Sequence, residues 1–314
     1  MRRRTLLLGL VGVGASGCSV TDPRVQGTPQ PIWSPTPPPP LSGADNLAGL
    51  EGAAAALLTA MSGAAWAGAD AARFLLLAGI HRTHQKVLVS ADPLRRETAP
   101  AEAAPVAAPA GRDEALVAAR SVLSRLKDSH ESLASQTTGV VAAFWASQAA
   151  AAVQTQAALT TTVSSVTKTI ALRQVVTLAP DAAAVALLDR YHEAVYGLES
   201  ALGRLSAAHP SRVVLGNVVL VAKSQRDALV ARTRAASQTP DPGAAAYSVP
   251  ATATDDQALA LAAQLLAAIT RAAAVVVASG ETGTRTAVAD LEAAATLGLP
   301  LGMGLAEYPG WPDS

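Results

Sequence analysis

His81 and His84, in the stretch Ile80-His81-Arg82-Thr83-His84, stand three residues apart. On a helix that spacing brings two imidazoles to one face, where they could chelate one metal ion from a single turn. Glu51, Asp70 or His130 could complete such a site. A blander reading is favoured over it: one histidine hydrogen-bonds inside a helical bundle and the other faces solvent. On that reading the chain takes no metal and no cofactor. His192 lies beside Tyr191 and close to Tyr196, and Arg226 precedes Asp227. His192, Arg226 and Asp227 are expected to form a structural polar cluster, with Arg226 and Asp227 paired across helices. Neither a Ser-His-Asp order nor a phosphate-binding loop appears. No catalytic residue is assigned, and a non-enzymatic role is favoured.

Cys18 is the other residue with chemistry of its own. It follows Ala15-Ser16-Gly17, and these close an N-terminus of Met1-Arg2-Arg3-Arg4 and an apolar, glycine-rich run to Gly17. A basic start, a short apolar run and small residues at a cut site make a cleaved export signal. The run is shorter than the roughly 20 apolar residues a membrane-spanning helix needs. A cysteine directly after the small residues resembles a bacterial lipobox, with cleavage between Gly17 and Cys18. That resemblance implies acylation of Cys18, a lipid bilayer as partner, and a protein held on the extracytoplasmic face of the cell membrane. Several acyl chains would make the anchorage essentially permanent, since each buried methylene adds about 0.8 kcal/mol. Arg3-Arg4-Thr5-Leu6-Leu7 loosely resembles a twin-arginine signal, and a basic start equally serves the general export route.

Composition narrows what these residues are mounted on. Half of the 314 residues are hydrophobic, yet only 3% are aromatic, and alanine dominates the apolar set. Alanine is the best helix former, and strand-forming residues are sparse. An all-α protein with closely approaching helices is predicted. The 24 basic and 24 acidic residues cancel, and without a basic stripe nucleic acid is excluded as the expected partner. Cys18 is the one cysteine; spent on lipid, it leaves no disulfide to stabilise an exported protein.

The pattern divides the chain into four parts: a signal over 1–18, a proline-rich tether over 19–41, an N-terminal helical bundle over 42–178 and a C-terminal helical domain over 179–314. In the tether, Pro29, Pro31, Pro35 and the run from Pro37 to Pro40 favour extended polyproline, at about 3.1 Å per residue. Helices are predicted from Ser42 or Asp45 to Ser62, from Ala65 to Ser90, from Asp113 to Ser135, and from Thr137 or Thr138 to Leu159 or as far as Leu178. Phe74, Leu77, Ile80, His84 and Val87 or Leu88 share one face of the second, and Leu116, Leu123, Leu126 and Leu133 stripe the third. Pro180 and Asp181 start a fifth, to Ala207. Three more follow: Ser211 to Ser237, Asp255 to Ser279, closed by Gly280, and Thr282 or Thr284 to Leu297. Proline-bearing loops fall over 94–110 and 238–254, and residues 298–314 read as a tail. Both halves share one plan of two helices, a long loop and two helices. An internal duplication, two bundles of like topology, or one larger helical body would each give it.

The C-terminal half resembles bacterial lipoproteins of high-GC Gram-positive genomes that end in a ferritin-like domain of unknown function. The resemblance rests on Leu188-Asp189-Arg190-Tyr191-His192-Glu193-Ala194-Val195-Tyr196-Gly197, on Gln225-Arg226-Asp227-Ala228-Leu229, on Tyr247-Ser248-Val249-Pro250 and on Tyr308-Pro309-Gly310. It spans about Ala179 to Trp311, and the His81–Leu88 stretch resembles the first half of the same proteins. It implies a four-helix ferritin-like bundle and no particular activity. Where that family has glutamate before the histidine, this chain has Tyr191, with Glu193 after His192. Ferritin-like di-iron sites need inward carboxylates and Glu-x-x-His pairs. No Glu-x-x-His occurs, and Glu193 and Glu199 face only Asp227. The helix from Leu259 to Ala278 offers no ligand, and Asp290 and Glu292 point to different faces. The expectation is a lipid-anchored envelope protein acting as a non-catalytic binding or scaffold module for an envelope protein partner. A metal-handling ferritin-like oxidase, or a small-ligand-binding lipoprotein with Trp66, Trp145 or Trp311 in its pocket, are the alternatives.

Overall fold

A computed structural model describes residues 41–314 apart from 96–97, 162, 164, 168–176, 245, 281–284, 302 and 312–314. Gly17, Cys18 and the tether through Pro40 lie outside the described residues. From Leu41 on, the described chain lies in one compact unit.

The fold is all-α. Among the described residues there are eight α-helices: α1 (Ala44–Ser62), α2 (Ala71–Leu88), α3 (Arg112–Gln136), α4 (Gly139–Ala158), α5 (Pro180–Arg204), α6 (Ser211–Ala235), α7 (Asp255–Ser279) and α8 (Arg285–Leu297). Their ends follow local chemistry. Pro180 opens α5, where its missing N–H costs nothing. The Thr254 hydroxyl caps α7 by accepting from the Gln257 amide at 3.2 Å. The predicted second helix is divided: a 3-10 turn over Gly68–Asp70 leads into α2. The fourth stops at Ala158 and does not run on toward Leu178.

α1 packs on α2, α3 on α4, and α1 on α3; in the C-terminal half α5 packs chiefly on α7 and also on α6, and α7 on α8. The shared order of elements thus goes with different pairings. α4 joins the halves, because it also packs on α7 and α8. No residue of α4 is exposed. A helix apolar on every side belongs in a core, and the alanines of α4 let four neighbours approach closely. The leucine stripe of α3 is buried at Leu116, Leu123 and Leu126, with Leu133 half-buried.

The last residues are not a loose tail. Leu305–Ala306 pairs in parallel with Val166–Thr167 as a two-residue ladder. Leu305, Tyr308 and Trp311 are all buried. Apolar and aromatic residues between the prolines outweigh the loop signal that Pro300 and Pro309 carry.

Candidate metal centre

The apolar rows of three helices are each broken by titratable residues, once on α1 and α3 and twice on α2. Along α1 the buried row runs Leu47, Glu51, Ala54, Leu58; along α2 it runs Phe74, Leu77, His81, His84, Leu88; along α3 it runs Leu116, Ala119, Leu123, Leu126, His130. Helical periodicity aims these positions inward. Glu51, His81, His84 and His130 therefore meet in the middle of the N-terminal half, each 0% exposed.

All three imidazoles converge on one carboxylate. His81 Nδ1 lies 2.5 Å from Glu51 Oε2, His84 Nδ1 lies 3.2 Å from Oε1, and His130 Nε2 lies 3.0 Å from Oε1. One ligand atom from each of Glu51, His81 and His84 fits within a 4.8 Å cluster. The outer nitrogens are also engaged. His81 Nε2 faces Thr155 Oγ1 of α4 at 3.2 Å, and His84 Nε2 donates to the Glu307 backbone carbonyl at 2.7 Å. His130 stacks on Trp145, ring centres 5.8 Å apart, while Tyr308 lies 4.7 Å from the His84 ring.

Charge in this site is set by a contest between burial and neighbours. Burial works against the ionised Glu51, but the surrounding His81 and His84, with hydrogen bonds from His130 and His81, hold its pKa well below the ordinary value. Burial also opposes a charged His84, yet Glu51 and the Glu307 carbonyl overcome it and raise its pKa. For His130 burial wins and the pKa falls, Glu51 opposing it only in part. His130 Nδ1 has no hydrogen-bond partner, and neither has the buried amide of Gln148 on α4. Gln148 shares one face of α4 with Trp145, Ala152 and Thr155, the face that supplies the partners of His130 and His81.

His81 and His84 were expected to divide between bundle and solvent; both are buried, because both occupy core positions of the apolar row. Glu51 and His130, two of the three residues that could complete a metal site by sequence, join them. Asp70 does not: it pairs with Arg73 and Arg112, each at 2.9 Å, at the start of α2. Thr155, Gln148 and the Glu307 carbonyl were missed. The glutamate inside an apolar row was the readable signal, whereas no local pattern marks a backbone carbonyl.

The expected cluster in the C-terminal half is not assembled. Arg226 and Asp227 pair with each other as neighbours on α6, at 2.8 Å, not across helices. His192 packs under Gly243, and its Nε2 has no hydrogen-bond partner. Glu193 pairs with Arg190. Contacts that do cross from α5 to α6 include the Tyr191 hydroxyl donating to Gln225 Oε1 at 2.5 Å and Lys223 paired with Glu199 at 2.6 Å. Trp145 and Trp311 are packed in the interior, and Trp66 is held edge-on to Phe74 with its indole N–H on the Pro109 carbonyl.

Residues 182–313, about two fifths of the chain, match a family model described as a domain of unknown function (DUF4439). No curated protein and no solved structure matches the chain. The three helices that carry the Glu51 and histidine cluster precede the matched stretch, but Glu307 and Tyr308 lie inside it.

Proposed function

We propose that this protein binds one divalent first-row transition ion through Glu51, His81 and His84, with His130 holding the carboxylate. The observation that carries this reading is the convergence of His81 Nδ1 and His84 Nδ1 on the buried Glu51 carboxylate, with His84 held from behind by the Glu307 carbonyl. The Glu307 carbonyl can only accept, so His84 Nε2 keeps its hydrogen. Without an ion, His84 keeps a second hydrogen on Nδ1 and donates it to Glu51, in keeping with its raised pKa; an ion would replace that proton and take the Nδ1 lone pair. Imidazole nitrogens held from behind by a carbonyl or hydroxyl oxygen are the usual outer arrangement of metal-binding histidines. Two imidazoles and one carboxylate suit iron, manganese or zinc rather than calcium or magnesium. Three protein ligands would leave positions for water or substrate.

The remaining parts of the reading concern where the protein works. Cys18 carries the lipid and fixes the protein to the extracytoplasmic face of the membrane, as supported by the basic start, the short apolar run and the small residues before the cysteine. The C-terminal half is a ferritin-like bundle, supported by the motifs around His192 and Asp227, and with no Glu-x-x-His its role is not that of a di-iron centre. A scaffold role beside metal binding is favoured by α6, where Val213, Leu220 and Val221 are exposed apolar residues.

The test is elemental analysis of protein purified without chelator, followed by titration of the stripped protein with Zn²⁺, Mn²⁺ and, without oxygen, Fe²⁺. About one ion per chain, lost in His81→Ala and in His84→Ala, is expected. Absence of binding for all three ions would overturn the reading. Labelling with a fatty-acid analogue, abolished in Cys18→Ala, checks the anchor.

A further inference from the structure

We propose that the segment 305–311 couples metal occupancy to the C-terminal half, with Glu307 as a positioning residue that acts through His84. This inference rests on the metal-binding reading above.

The segment reaches the centre from the far side of the fold. The Glu307 carbonyl holds His84 Nε2 across 223 positions of sequence. Tyr308 packs on both His84 and Phe144, with ring centres 4.7 and 6.0 Å away. On either side the backbone is fastened to the same helix that supplies Thr155. Gln154 Oε1 accepts from the Ala306 amide at 3.2 Å, and the Ser147 hydroxyl donates to the Pro309 carbonyl at 2.9 Å. The Gln154 amide also donates to the Ala295 carbonyl of α8 at 2.7 Å. Gly310 adopts a φ of +89°, and a methyl group there would run into Ala274 of α7. The segment is thus wedged between α4, α7 and α8, and its Glu307 carbonyl keeps a hydrogen on His84 Nε2.

The physical consequence is a shared equilibrium. With the segment seated, His84 offers Nδ1 to an ion; with it displaced, the ring is free to carry its hydrogen on Nδ1 and lose the ligand. Whatever seats the segment favours the ion, and by linkage the ion favours the seated segment by the same factor. Loss of a supporting partner behind a metal-binding histidine costs about 10- to 100-fold in affinity.

Two variants and one exchange measurement test this. Gly310→Ala pushes the segment off α7. Ser147→Ala removes one fastening and leaves the packing of α4 nearly unchanged, so it reports even if Gly310→Ala fails to fold. Zn²⁺ affinity is measured at a temperature where each variant is folded. Hydrogen exchange of the Leu305, Ala306 and Trp311 amides is followed in the wild-type chain with and without Zn²⁺. Expected are affinities weakened about 10-fold or more in Gly310→Ala and in the same direction in Ser147→Ala, and slower exchange of those amides once Zn²⁺ binds. A purely structural segment would alter stability but leave exchange indifferent to Zn²⁺. If wild-type protein binds Zn²⁺ while either readout stays flat, the coupling is overturned and the metal site stands. If wild-type protein binds no ion at all, the parent reading has failed.

Discussion

Glu51→Gln separates a metal centre from a buried hydrogen-bond cluster. The amide keeps the shape of the carboxylate but loses its charge and one acceptor. In the metal-free protein three imidazoles lie within 3.2 Å of the carboxylate oxygens, and His84 depends on Glu51 for its raised pKa. Removing one partner of a buried charged pair costs about 3–5 kcal/mol. His84 can relieve part of this by releasing its proton, so a loss near the lower end, about 3 kcal/mol, is expected. The second arm is the ion itself. At a free concentration 100 times the Kd, binding stabilises the folded state by about 2.7 kcal/mol. At about 2–4 °C per kcal/mol for a chain of this size, the wild-type Tm should rise by about 5–10 °C. Glu51→Gln should show a lowered Tm and no rise with Zn²⁺. Thermal unfolding by circular dichroism, with and without the ion, reads both arms. Equal Zn²⁺-induced rises in the two proteins would refute the assignment of Glu51 as a ligand. A variant as stable as the wild-type chain would refute the electrostatic account.

Three further outcomes concern the scaffold. Burial and the neighbouring Glu131 raise the Glu292 pKa from 4.5 to about 8, Lys127 opposing them only in part. The folded state therefore keeps this proton longer than the unfolded chain does. The contribution of Glu292 is complete below about pH 4.5 and is lost as the pH rises through about 8, so Glu292→Gln should flatten the fall in urea midpoint over that window. Gly197→Ala places a methyl against Leu265 and Val249 on the inner face of α5; a loss of about 1–3 kcal/mol in denaturant unfolding is expected from overpacking. Phe144→Ala empties a fully buried site between Trp145 and Tyr308, and should cost about 3–5 kcal/mol.

Helix positions were legible because their boundaries are written locally. Pro180 with Asp181, Thr254 before Asp255, and Gly280 each act on the adjacent turn. The apolar rows were legible for the same reason, and His84 was correctly set on one of them. What local chemistry does not encode is which rows face one another. Glu51, His81 and His130 are separated by tens of residues, and only the packing of α1, α2 and α3 shows that their row breaks coincide. Arg226 and Asp227 illustrate the converse. Opposite charges in sequence suggested a bridge between helices, but adjacent residues point about 100° apart on a helix, and their long side chains simply met each other in solvent. The C-terminal segment misled because its prolines signal irregular backbone, which is true, while burial is decided by Leu305, Tyr308 and Trp311.

The enclosure of α4 bears on how this chain can be taken apart. A helix with no exposed residue has no outer surface on which a cut could heal. The matched stretch over 182–313 begins after α4, so excising it would strip α7 and α8 of their covering and leave two alanine-rich faces wet. Such a fragment should be sticky and poorly ordered, and the complementary fragment, keeping α4, should fare no better. Unfolding of the intact chain should then proceed as a single cooperative event across both halves, although the matched stretch covers only residues 182–313. In this protein the unit of sequence similarity and the unit of folding have different borders, and inheritance of one half without the other would have required α4 to find a new neighbour.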